Sequence, residues 1–90
     1  MKINVTDNHI INGKRGECQQ CPLALAVNTK PDCFNAMVYD TVLLFLQDKK
    51  IWRAYIPQDV QKWLVAFDLN EPVKPMSFNI HPTLIPEEYL

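Results

Sequence analysis

The sequence predicts an α+β fold in one small domain, and three stretches carry that prediction. The first is an apolar segment opened by a proline, Pro22-Leu23-Ala24-Leu25-Ala26-Val27. The second pairs a near-continuous apolar run, Thr41 to Gln47, with an alternating one, Ile51 to Ile56. The third is Val60, Trp63, Leu64 and Phe67 at i, i+3, i+4 and i+7, the stripe of an amphipathic helix. Strand and helix patterns that do not alternate regularly favour a mostly antiparallel sheet with two helices packed on one face.

The elements follow in the order β-α-β-β-β-α-β. Met1 to Thr6 alternates Ile3 and Val5 against Lys2 and Asn4, as a half-buried strand does. Asp7 or Asn8 is placed to cap a short turn of helix through Ile10 and Ile11. Proline suits the first helical position, where its missing N–H leaves nothing unsatisfied, so Pro22 starts a helix with Cys21 as its N-cap. Lys30-Pro31-Asp32 ends it, because the residue before proline is pushed out of the helical region. Phe34 to Tyr39 is a short strand. Thr41 to Gln47 reads as a strand buried on both faces, or buried on one face and paired with a second chain on the other. In the strand that follows, Trp52, Ala54 and Ile56 share one face, while Ile51, Arg53 and Tyr55 share the other. Pro57 opens the second long helix, and Met76 to Ile80 alternates as a last strand. The domain spans residues 1–80, and residues 81–90, with two prolines and two glutamates, read as an extended tail.

Composition bounds the function. At 48 % hydrophobic and 21 % charged residues, the 90-residue chain has the content of a folded protein with one modest core. A net charge of −1 argues against general nucleic-acid binding. No apolar run approaches the roughly 20 residues that span a bilayer, and the first residues lack a signal-peptide core, so the expectation is a cytoplasmic protein. Three cysteines do not close a disulfide framework and fit a reducing compartment. A core of this size makes a homodimer that buries an apolar face a reasonable expectation.

The segment Gly13 to Val27 gathers the chemistry. It holds both glycines, the Lys14-Arg15 pair, Cys18 and Cys21. A glycine-flanked basic loop, Gly13-Lys14-Arg15-Gly16, feeding the free N–H groups of a helix start is a recipe for an anion site. Neither a Walker loop nor a dinucleotide-binding glycine pattern is present. Lys14, Arg15, the Gly16 loop and the N–H groups that follow Cys21, from Leu23 on, would hold phosphates, and Trp52, Arg53 and Tyr55 would form a stacking-plus-cation surface for a base or nucleotide. The structural alternative is a solvated loop beside a buried cap. Cys21, at a helix start, is expected to be the most thiolate-prone of the three cysteines. A zinc site from Cys18, Cys21, Cys33 and His9, with His81 in reserve, is the metal alternative, although no second Cys-x-x-Cys pair follows. One serine, Ser77, and scattered carboxylates suggest no acid–base or nucleophilic machinery, which argues against an enzyme.

The pattern GxCxxCPxALA over Gly16 to Ala26, WRxxxP over Trp52 to Pro57, and FDxxxPVxPxxF over Phe67 to Phe78 resembles a family of small uncharacterised phage and bacterial proteins. That resemblance covers most of the chain up to Ile80 and implies a phage or mobile-element setting, with action against host defence. Two functions follow as expectations. The first is a non-catalytic protein that sequesters an anionic, nucleotide-like signalling molecule. The second is an inhibitor that binds a host defence complex through its exposed sheet face and the tail HPTLIPEEYL.

Overall fold

A computed structural model describes residues 1–86 and gives an α+β domain with two antiparallel sheets. In chain order the elements are β1 (Lys2–Val5), α1 (Asp7–Asn12), α2 (Pro22–Asn28), β2 (Phe34–Val38), β3 (Val42–Gln47), β4 (Lys50–Tyr55), α3 (Gln58–Asp68), β5 (Met76–Asn79) and β6 (Thr83–Leu84). One sheet is the pair β1-β5, and the other runs β2-β3-β4-β6. The single sheet expected from sequence is therefore two, because β5 returns to β1 and does not join the meander. Met1 and Ile80 extend the β1-β5 pair by donating to each other's carbonyls, each at 2.9 Å.

Local chemistry explains the helix limits. Thr6, one residue earlier than expected, caps α1 with a reciprocal box. Its hydroxyl accepts from the His9 N–H at 3.4 Å, and its own N–H donates to His9 Nδ1 at 3.0 Å. In α2, Cys21 is the N-cap and Pro22 opens the helix as the sequence predicts, with Leu23, Ala24, Ala26 and Val27 buried. Asn28 is its last residue, ahead of the Lys30-Pro31 break. In α3, Val60 and Phe67 are buried and Trp63 and Leu64 pack against the core, so the predicted stripe is the buried face. The Trp63 and Phe67 rings stack with centroids 6.1 Å apart. Past α3, Asn70 takes a left-handed φ of 63°, as asparagine can after a helix end.

The core lies between the inner face of the four-stranded sheet and the helices. Leu43, Phe45, Ala54, Ile56, Ala36 and Val38 point inward from β2, β3 and β4, or just beyond them, to meet Leu23, Val27 and Val60. The turn from β3 to β4 places Asp48 and Lys49 at φ 54° and 61°, the double left-handed geometry of a tight hairpin. The expected tail over 81–90 is only partly irregular. Thr83 and Leu84 pair with Arg53 and Trp52, making β6 an edge strand, while residues 87–90 lie outside the described residues.

Candidate functional site

The side of the four-stranded sheet turned away from the helices carries apolar residues that nothing in the described chain covers. Strand register sorts them into three cross-strand rows. Tyr39, Val42 and Tyr55 form one, and Met37, Leu44, Arg53 and Thr83 the next. Phe34, Leu46, Ile51 and Ile85 form the third. Val42, Leu44, Leu46 and Ile51 are half-buried, whereas Phe34 is 60 %, Tyr55 69 % and Tyr39 47 % exposed. Thus the TVLLFLQ run is buried on one face within the chain and open on the other.

A β-bulge shapes this face. The β2–β3 register shifts between Phe34 and Met37, and Asn35 sits at φ 53°. Strict alternation with Ala36 and Val38 would have turned Phe34 into the core. The extra residue turns it outward beside Leu46 instead. Beside the bulge is a dent of about 450 Å³, with Asn35, Met37, Leu44, Leu46 and Ile51 among its lining. The charge within the three rows is Arg53, whose guanidinium lies 5.6 Å from the Tyr55 ring centre.

Outer ladder positions of two strands of the same sheet, β2 and β4, are already paired. On β2 the Ala36 N–H donates to Asn28 Oδ1 at 3.0 Å, and the Val38 N–H donates to the Cys18 carbonyl at 2.8 Å. On the other side β6 covers β4, and the Ile85 N–H donates to the Ile51 carbonyl at 2.9 Å. A visiting strand therefore finds these positions on β2 and β4 already paired, one way in which natural sheets limit edge addition. The open apolar surface is the face.

The segment Gly13 to Val27 is placed as a clasp between α1, β2 and α3. Arg15 donates to the Asn70 side chain and lies 5.8 Å over the Phe67 ring. The Gly16 N–H donates to Asp68 Oδ1 at 3.2 Å, so a carboxylate of the chain itself occupies a donor that an anion would use. Lys14 N–H bonds the Gln20 carbonyl at 2.8 Å. Leu23 is fully buried, and the adjoining cleft of about 310 Å³ holds Glu17, Asp40 and Asp68, the charge opposite to that of a phosphate site. The stacking group divides as well. Trp52 packs against the core and donates through Nε1 to the Gln47 carbonyl at 3.1 Å, while Arg53 and Tyr55 project from the open face.

Cys21 behaves differently from the sequence expectation. Its thiol pKa is raised above the ordinary value of 9.0, because burial outweighs the N–H groups of Ala24 and Leu23 that pull it down. A helix start lowers a thiol pKa only where the sulfur is not first stripped of water. Burial also raises Cys33, and Asp32 adds to it. Cys18 is the exposed thiol. Among the described residues no three His, Cys, Asp or Glu side chains gather into a metal-binding group, so Cys18, Cys21, Cys33 and His9 are not brought together as zinc ligands. His9 instead serves the α1 cap.

No family model, curated protein or solved structure matches this chain. Among the described residues no helix is long and apolar enough to cross a membrane. Sequence reading missed Phe34, Met37, Tyr39, Leu44 and Leu46 as site residues. The signal was the apolar residues of both parities in TVLLFLQ, which one buried face cannot absorb.

Proposed function

We propose that the chain is a non-catalytic binding module that docks another protein on the open face of its four-stranded sheet. The observation that supports this is the contiguous apolar face itself, built across the four strands and widened by a bulge that turns Phe34 outward. Exposed apolar patches of this kind mark interaction surfaces. Aromatic residues and arginine are the side chains that most often dominate such contacts, and Phe34, Tyr39, Tyr55 and Arg53 supply them. A matching partner presents an apolar surface with a carboxylate that meets Arg53 across the face. In the mobile-element setting that the motif resemblance implies, this module acts as an inhibitor of a host complex. Sequestration of a nucleotide-like anion by the Lys14-Arg15 loop has less support, because Arg15 and the Gly16 N–H have partners within the chain.

A photo-reactive phenylalanine analogue at position 55, expressed in a bacterial cell, tests the reading. The expected result is an adduct with another protein that disappears with Leu44→Asp and is absent when the probe replaces Val65 on α3. Adducts no different from those of the Val65 probe would overturn it.

A further inference from the structure

We infer that, in the absence of another partner, a second copy of this chain covers the open face in a weak, isologous, face-to-face dimer. This inference rests on the same face but not on a foreign partner existing. Its support is the self-complementarity of the three rows under one symmetry operation.

A two-fold axis running along the strands, midway between β3 and β4, lays β4 of one copy over β3 of the other. It likewise lays β6 over β2. The row of Phe34, Leu46, Ile51 and Ile85 then meets its copy apolar to apolar, while in the middle row Thr83 faces Met37. Ile51 faces Leu46 of the second copy, Ile85 faces its Phe34, and Tyr55 faces its Val42. Arg53 faces Leu44 of the second copy, so its aliphatic stem lies on the leucine while the guanidinium stays by the Tyr55 ring, 5.6 Å from its centre. At the hairpin end, Asp48 on the β3 side comes over Lys49 on the β4 side. The other in-plane two-fold, running across the strands, stacks β4 on β4 and Arg53 on Arg53. Direct stacking of the two arginines disfavours that arrangement relative to the first.

Area sets the strength. Four strands about 4.8 Å apart, with rows spread over roughly 20 Å of strand, give a face of about 400 Å² in projection. Two such faces bury on the order of 800 Å² or somewhat more once side chains interdigitate, at the low end for specific association. Arg53 also gains no counter-charge in the dimer. Both points predict a dissociation constant in the micromolar range or weaker. A foreign partner that offers Arg53 a carboxylate would displace the second copy, so self-association keeps the apolar face covered until that partner arrives.

Sedimentation velocity of the full chain across a concentration series tests this. The expected result is a reversible monomer–dimer equilibrium. Leu44→Asp, and independently Tyr55→Ser at an exposed position that leaves the core intact, should weaken it by about tenfold or more. Val65→Asp on α3 should leave it unchanged. Arg53→Leu should tighten the dimer while weakening capture of a carboxylate-bearing partner, so the two readings respond with opposite sign. A chain that stays monomeric at about millimolar concentration overturns the dimer, as does association that Leu44→Asp and Tyr55→Ser leave intact. Either result leaves the photo-adduct experiment free to decide the partner reading.

Discussion

Phe34 stands opposite Leu46 on the open face because Asn35 adds one left-handed residue between Phe34 and Ala36. Two phenylalanines of the same sheet thus have opposite roles, Phe34 being 60 % exposed and Phe45 1 %. Phe34→Ser is expected to change folding stability by no more than about 0.5 kcal/mol. Phe45→Ala should cost about 3–5 kcal/mol through the cavity it leaves. Urea unfolding of the two variants checks the contrast, and equal losses would mean that Phe34 faces the core.

The β3–β4 hairpin holds Lys49 at φ 61°, where a side chain crowds its own backbone and glycine does not. Lys49→Gly should raise stability by up to about 1 kcal/mol, reduced by the greater freedom that glycine gives the unfolded chain. For a domain of this size that corresponds to several degrees in Tm, roughly 4–8 °C per kcal/mol. Thermal unfolding followed by circular dichroism measures it.

Gly13 and Gly16 are needed for different reasons. A methyl group at Gly13 would lie 2.7 Å from Pro22 Cγ and Cδ and 2.8 Å from the His9 carbonyl oxygen. At Gly16 nothing lies within 4 Å, but φ is +70°. Gly13→Ala should therefore force the loop off the start of α2 and cost about 1–3 kcal/mol, as overpacking does. Gly16→Ala meets only backbone strain, of order 1 kcal/mol. A larger loss of Tm at position 16 than at 13 would contradict the packing described.

Thiol chemistry should follow burial. Under an alkylating agent Cys18 reacts first, and Cys21 and Cys33 react only as the fold opens. Burial raises the Cys21 and Cys33 pKa values above 9.0, so the folded chain keeps these protons where the unfolded chain releases them. Their contribution to stability is complete below pH 9.0 and falls as the pH rises through and above that value. Cys21→Ala should flatten the alkaline decline in urea midpoint, and an unchanged slope would mean that the thiol stays hydrated.

The helices were the most legible part of the sequence, because a local signal fixes them. Pro22 announces α2, and the spacing of Val60, Trp63, Leu64 and Phe67 gives the buried face of α3. What could not be read depends on distant partners or on single backbone angles. Nothing local in Met76 to Asn79 says that it pairs with β1, and Thr83-Leu84 is too short for alternation to declare β6. The outward turn of Phe34 hangs on the φ of Asn35 alone. The Gly13 to Val27 segment was conspicuous for good reason, yet its glycines and Arg15 serve packing and tethering. The even-numbered apolar residues of TVLLFLQ carried the message about the open face, and a fully buried strand was the competing explanation.

The pairing of Lys2 with Asn79 and of Val5 with Met76 has a consequence for synthesis. Ile3 and Val5 are buried core residues, but their strand partner is made only when most of the described chain already exists. Pairs this far apart in sequence raise the contact order and delay closure of the core. On the ribosome, β1 would wait unpaired through the emergence of the whole meander and α3. A nascent chain halted before Met76 should stay open to proteases even with α2, β2, β3 and β4 complete, and acquire resistance once β5 has cleared the exit tunnel.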